Sequence, residues 1–173
     1  MDKRITITGI DIGISLRSIS KLDIENLRLW RNKNRQKLSF SEFISEREQQ
    51  EWFEKYLADP NSYLFMVEKT PYDSLGCMGF RLAHDMSEYW NLMANPDATD
   101  PKAMGNASRL MESYIFTEHT ASIGGYVLSS NEAVALWHVK YSCAKIIRQE
   151  EGRIYLTLDT DKFIPQRYRK IEL

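Results

Sequence analysis

Lys102-Ala-Met-Gly105-Asn-Ala107 sets one basic residue, one glycine and two small residues where a loop-like stretch becomes an amphipathic helix. That order suits a phosphate. The first amides of a helix are unsatisfied donors, the macrodipole favours an anion there, and glycine lets the ligand approach without a Cβ in the way. Lys102 would add a point charge. A plainer reading fits the same residues: Asp100 is a good N-cap and Pro101 suits the first helical position. A helix that starts at Pro101 has already used the amides near Gly105. The two readings therefore differ in where the helix begins.

Asn131, His138 and Tyr141 form a second constellation. Asn131 reads as the cap of a helix, His138 lies two turns on, and Tyr141 follows three residues later on the same face. Histidine can move a proton near neutral pH, although a lone helical histidine is more often a satisfied side chain. The third is Trp30-Arg31-Asn32 at the end of one helical segment, with Gln49-Gln-Glu-Trp52 in the next. Both tryptophans read as core anchors and Arg31 as a solvated cation near a helix C-terminus. The chain contains no Ser-His-Asp order, HExxH, CxxC or Walker sequence.

The elements that would position these residues follow from periodicity. Ile10–Arg17 alternates as a half-buried strand does. Ser20 can cap a helix over 21–32, and Ser45 with Glu48 forms a capping box for a second helix to Ala58. Tyr63–Glu68, Leu75–Leu82 and Glu88–Ala94 read as three strands, the first two joined through the turn residues Pro71-Tyr-Asp-Ser74. A helix runs to about Thr117, a short strand covers Gly125–Leu128, a helix spans 131–144, and Ile154–Leu158 is a late strand. The expected order is β-α-α-β-β-β-α-β-α-β, one α/β domain over residues 1–173.

The totals agree. The chain has 173 residues, 43% hydrophobic and 27% charged, with a formal net charge of -1. That balance signals no general nucleic-acid or membrane-surface role, so any phosphate site is local. Cys77 and Cys143 are too few for a disulfide framework and lack metal-ligand spacing, which favours a reducing, cytoplasmic setting and no metal. No apolar run approaches the ~20 residues that span a bilayer.

Taken in order from about Ser15 to Leu158, these pieces resemble the GNAT superfamily of acetyl-CoA-dependent N-acetyltransferases. Lys102 to Ala107 stands where that family has R/Q-x-x-G-x-G/A, with lysine for the usual arginine or glutamine. Asn131 to Cys143 lines up with N-x-x-A-x-x-x-Y-x-x-x-G-F. Asn131 is kept, and valine, histidine, serine and cysteine replace the other four. Trp30-Arg31-Asn32 and Glu48-Gln-Gln-Glu-Trp52-Phe53 resemble the branch holding ribosomal-protein N-terminal acetyltransferases and enzymes of amino-sugar nucleotides.

The resemblance implies an α/β GNAT fold. Its central sheet would be mixed and mostly antiparallel, of six to seven strands, with helices on both faces and a splay between strands 4 and 5. It implies a cytoplasmic acyltransferase using acetyl-CoA, or coenzyme A, as co-substrate. Amides around Met104, Gly105, Asn106 and Ala107 would hold the pyrophosphate beside Lys102. Leu92, Met93 and Ala94 would pair with the pantetheine, and Asn131 would touch it. His138 occupies the place of the family's tyrosine acid, with Tyr141 a second candidate. Arg31, Gln49 and Tyr126 would face the acceptor. Glu88 stands in for the carboxylate base some members carry on the fifth strand.

An amine of pKa near 8 is about one-tenth neutral at pH 7, a deficit of roughly 1.4 kcal/mol, whereas a lysine ε-amine loses roughly 4.6. The missing fifth-strand base therefore favours a sugar amine or an α-amino group over an internal lysine, and the leading expectation is a small-molecule amine, first an amino sugar nucleotide. A protein N-terminal acetyltransferase and a non-catalytic CoA-binding protein are the alternatives. A homodimer is left open, and the basic end IPQRYRKIEL could pack on a partner or line the acceptor site.

Overall fold

The computed structural model describes residues 4–38, 41–69, 73–84, 86–98 and 100–172. Residues Pro71 and Tyr72 of the expected turn lie outside them. The stretch expected as one strand is a hairpin: β1 (Ile5–Gly9) and β2 (Ser15–Ser18) pair antiparallel around a turn closed by the Gly9 amide on the Ile14 carbonyl. Apolar and polar residues keep alternating through that turn, so periodicity alone does not reveal it. Gly13 makes the reversal possible at φ 61°, a left-handed conformation that glycine takes without strain.

Helix α1 (Ile24–Asn34) begins after Asp23 rather than at Ser20. The Asp23 carboxylate accepts from the Ser20 amide and hydroxyl and from Arg17, so these groups build a turn instead of capping the helix. Helix α2 (Glu46–Ala58) carries the expected capping box between Ser45 and Glu48. Strands β3 (Ser62–Glu68), β4 (Ser74–Leu82) and β5 (Ser87–Ala94) follow as an antiparallel meander. Helix α3 (Pro101–Glu118), strand β6 (Ile123–Leu128), helix α4 (Glu132–Tyr141) and strands β7 (Ala144–Glu150), β8 (Arg153–Leu158) and β9 (Tyr168–Glu172) complete the chain.

Among the described residues the sheet has nine strands in the order β7-β8-β6-β5-β4-β3-β2-β1-β9, where six to seven were expected. Two of the additional strands, β7 and β9, are its edges. Neither alternates, because β7 is exposed at every residue after Ala144 and β9 is exposed after its first residue. An edge strand with solvent on both faces leaves no period-2 signature.

Helices cover both faces, as period 2 in β3 dictates. Phe65 and Val67 point to a core shared with Leu110, Met111 and Ile115 of α3. Leu64 and Met66 point the other way, to Leu27 and Trp30 of α1 and Phe53 and Tyr56 of α2. A strand buried on both faces reads as a continuous apolar run, and Tyr63–Val67 does.

The pairing that positions the site is the weakest in the sheet. β5 and β6 run parallel and share only the pairs Ser87↔Ile123 and Glu88↔Gly124. Beyond them β5 stays on β4 while β6 stays on β8 through Leu128, so the two strands diverge into a wedge. This is the splay expected between the fourth and fifth strands. A bulge lies on the β5 side of it. Gly79 faces Trp90 and Cys77 faces Met93, which leaves Asn91 and Leu92 without a register partner on β4, and Asn91 sits at φ 48°.

Candidate active site

Three adjoining cavities lie along β5. The wedge cavity, about 480 Å³, is walled by β5 and β6 and reaches His138 of α4. An outer cavity of about 270 Å³ continues from it past Asn131 and Val134 to Pro101 and Asp100 at the head of α3. A front cavity of about 360 Å³ lies between β5 and the α1–α2 pair. Leu38 and Leu92 line all three.

Most of the residues singled out in the sequence converge here. Arg31 lines the front and wedge cavities from α1, and Gln49, buried on α2, lines the front one. Asn32 explains part of the Trp-Arg-Asn spacing. Its side chain exchanges two 2.9 Å hydrogen bonds with the Ile44 backbone and pins the segment leading into α2. Leu92, Met93 and Ala94 line the outer cavity. Glu88 and Tyr126 face the wedge from opposite strands, and the Arg153 guanidinium lies 4.6 Å from the Tyr126 ring centroid. Asn131 does not cap α4 with its side chain. It donates instead to the Lys37 carbonyl at 3.2 Å, holding the one-turn 3-10 helix Arg35–Lys37 over the cavity.

Two expected roles meet a different local geometry. The first is the pyrophosphate seat at Met104 to Ala107. Helix α3 starts at Pro101, the Asp100 carboxylate accepts from the Ala103 amide at 2.9 Å, and the Met104 amide is already bonded to the Asp100 carbonyl. Lys102 is exposed in the first turn, and Asn106 and Ala107 lie inside the helix. Gly105 is buried where α3 meets α4. A Cβ added there would fall on the Tyr141 Cβ and lie 3.1 Å from its Cγ. Its smallness serves the helix contact. The second is Tyr141 as an acid: it packs on Gly105, its ring lies tilted against Trp137 with the Lys140 ammonium over its face, and it is not among the residues lining the three cavities.

His138 does reach the wedge, and it arrives with partners the sequence did not announce. Its Nδ1 lies 3.3 Å from the Ser142 hydroxyl, which donates to Glu112 Oε1 at 2.5 Å. Tyr89 and Ser108 also donate to that oxygen, at 2.8 and 3.3 Å. Glu112 sits fully buried on α3, four residues after Ser108, a carboxylate in an otherwise apolar and small-residue stripe. That mismatch is the one signal the sequence carried for it.

Burial acts on both titratable groups. It pushes the Glu112 carboxyl up to about 8 and the His138 imidazole down to about 4. Folded Glu112 keeps a proton that the unfolded chain releases near 4.5, so stability falls as pH rises from 4.5 to about 8. For His138 the unfolded chain binds the extra proton, so stability falls as pH drops from 6.5 to about 4. The unfolding free energy of the wild type is therefore expected to decline relative to Glu112→Gln between about pH 4.5 and pH 8, as measured by urea titration at each pH. A difference that stays constant with pH would show that Glu112 ionises as readily folded as unfolded.

Around the front cavity the groups are aromatic and cationic. Trp52 stacks on Tyr56 at 5.7 Å, Trp90 on Tyr56 at 6.0 Å, and the Arg81 guanidinium lies 4.2 Å from the Trp90 ring centroid. Among the described residues no group of three or more His, Cys, Asp or Glu side chains could hold a metal ion, and no helix is long and apolar enough to cross a membrane.

No family model and no curated protein matches the sequence. Solved structures do. FdhC, described as a nucleotide-linked sugar GNAT, aligns with a TM-score of 0.73 at 17% identity over 94% of this chain and 92% of its own. The Campylobacter jejuni N-acetyltransferase PseH, solved with acetyl coenzyme A, gives 0.66 at 18% over 85% and 99%. Spermidine N-acetyltransferase from Vibrio cholerae, solved with CoA and spermine, gives 0.69 at 16% over 84% and 93%.

Proposed function

We propose, for a chain that carries the GNAT N-acetyltransferase fold, that it moves an acetyl group from acetyl-CoA to the primary amine of a small molecule. The wedge is the observation that supports this most directly. β5 and β6 part after two register pairs, and the space so opened runs from His138 to the head of α3. An extended pantetheine arm fits that shape and can pair with Leu92–Ala94 as an added strand would. PseH and the Vibrio cholerae enzyme were solved with such a ligand.

The arm fits better than the diphosphate does. Asp100 already accepts from the Ala103 amide and is ion-paired to Lys69 at 2.6 Å, so an anion at the head of α3 meets a carboxylate. In this reading the diphosphate charge falls to Lys102 and Lys69 instead of to helix amides. His138, Ser142 and Cys143 in place of the family's tyrosine and Gly-Phe favour a second reading, a GNAT-fold protein that binds coenzyme A without turning it over.

The charge around the reaction space supports an anionic acceptor over a polyamine. Arg31, Lys37 and Arg81 line the wedge against the single carboxylate Glu88. In the front cavity Glu48 is tied to the Ser45 amide and hydroxyl. Flat tryptophan faces beside arginine suit a sugar or base linked to phosphate. We therefore take the acceptor to be an amino sugar nucleotide and the setting to be cytoplasmic.

Acetyl-CoA at about 100 times its Kd should stabilise the protein by about 2.7 kcal/mol, raising Tm by roughly 5–10 °C. Thiol release should then appear with amino-sugar nucleotides and not with N-terminal peptides or spermine. No shift of Tm with acetyl-CoA at millimolar concentration would sink both readings. A shift without thiol release from any amine would leave the non-catalytic one.

A further inference from the structure

Proton handling at His138 is set from behind, by groups that never touch the cavity. Ser142 lies at the C-terminal end of α4, Glu112 in the middle of α3, and both are fully buried. With Nδ1 engaged by Ser142, the ring nitrogen left for the wedge is Nε2. We propose that Glu112, acting through Ser142, decides which nitrogen of His138 carries the proton, so that Nε2 can take a proton and return one without an imidazolium forming. The coupling itself stands on this geometry. Its use in turnover rests on the acyl-transfer reading above.

The protons balance as follows. With Glu112 ionised, the Ser142 hydroxyl donates to Oε1, the Ser142 oxygen accepts from Nδ1–H, and Nε2 is bare. Attack of the amine on the thioester forms the C–N bond. Nε2 takes the proton the nitrogen must lose, the Nδ1 proton passes to Ser142, and the Ser142 proton passes to Glu112. The imidazole is again neutral, now with hydrogen on Nε2. As the C–S bond breaks, Nε2 gives its proton to the departing thiolate and the relay runs back. The amine has lost one proton, the thiolate has gained one, and Glu112 ends as it began.

The surroundings select for this route. Burial that holds the imidazole at about 4 disfavours the imidazolium, and Glu112, held up to about 8, changes charge well above it. The ionisable groups around the carboxyl are Tyr89 from β5, Arg109 on its own helix, and Cys143 and His138 from α4 and its exit. Among the described residues Glu112 Oε2 has no hydrogen-bond partner, so every bond this carboxyl makes is on the oxygen that faces the relay.

The test uses full-length protein labelled with ¹⁵N-histidine, without substrate, titrated from about pH 6 to about pH 9.5. The His138 signals are identified by their loss in His138→Phe. Protonation should move between Nδ1 and Nε2 in one transition, neither nitrogen reaching the imidazolium shift, and the transition should vanish in Glu112→Gln and in Ser142→Ala. A fixed tautomer in the wild type, or a transition that persists in either variant, overturns the proposal. If one variant does not fold, the wild-type titration and the other variant decide. In turnover, Glu112→Gln should lower kcat by about 10-fold or more with KM for acetyl-CoA within about twofold. A tautomer switch with no thioester consumed by any amine keeps the relay and removes the acyl-transfer reading. Acetyl transfer with a fixed tautomer does the opposite.

Discussion

Gly105→Val is expected to destabilise the protein by about 3 kcal/mol, lowering Tm by roughly 6–12 °C. Helices α3 and α4 touch at this residue, and the neighbour is the Tyr141 Cβ, an atom fixed to backbone that no rotamer can move aside. Valine needs room for two further carbons and is a poorer helix former than alanine. Alanine separates the contact from propensity. In an ordinary helix interior Gly→Ala gains about 1 kcal/mol. Gly105→Ala is expected to be unfavourable in the wild type and favourable in a Tyr141→Gly background, a reversal of sign readable by urea unfolding. If Gly105→Val leaves Tm unchanged while weakening acetyl-CoA binding, the glycine serves a ligand after all, and the helix contact is not what requires it.

A His138→Phe variant is expected to turn over acetyl-CoA roughly 100-fold more slowly, with affinity for acetyl-CoA within about twofold of wild type. The imidazole is the side chain from α4 that brings a titratable nitrogen to the wedge, and phenylalanine fills its place beside Tyr89 and Trp137 without one. Ser142 loses one partner but keeps Ser108 and Glu112, so the buried cluster is not stranded. Single-turnover kinetics with saturating acetyl-CoA isolates the effect from binding. An unchanged rate would remove His138 from the chemistry, whatever its neighbours do. A large rise in Kd with unchanged kcat would assign it to the donor's seat.

How much of this was legible in the sequence depends on what each element leaves in the pattern. Helix α2 was readable to its capping box because Ser45 and Glu48 act within four residues of each other. β3 and β4 were readable because both of their faces are buried, which leaves continuous apolar runs. β7 and β9 were not, because an edge in solvent asks nothing of its side chains. The residues near Gly105 show the same limit in the site. A small residue after a basic one looks alike whether a phosphate or a second helix approaches, and only the Asp100-Pro101 pair tells where the helix starts. Ser142 and Glu112 are 30 residues apart and meet only because α4 lies against α3, a pairing no local spacing encodes.

The two-pair seam between β5 and β6 has a mechanical consequence. Longer ladders flank it: β5 is zipped to β4 on both sides of its bulge, and β6 to β8. The far side also has its own apolar anchor in Ala135, Ile154 and Leu156. Spreading the wedge therefore strains a short pivot at Ser87 and Glu88 and breaks no ladder beyond it. The sheet is stiff along its strands and compliant across one line, like a board scored on one side.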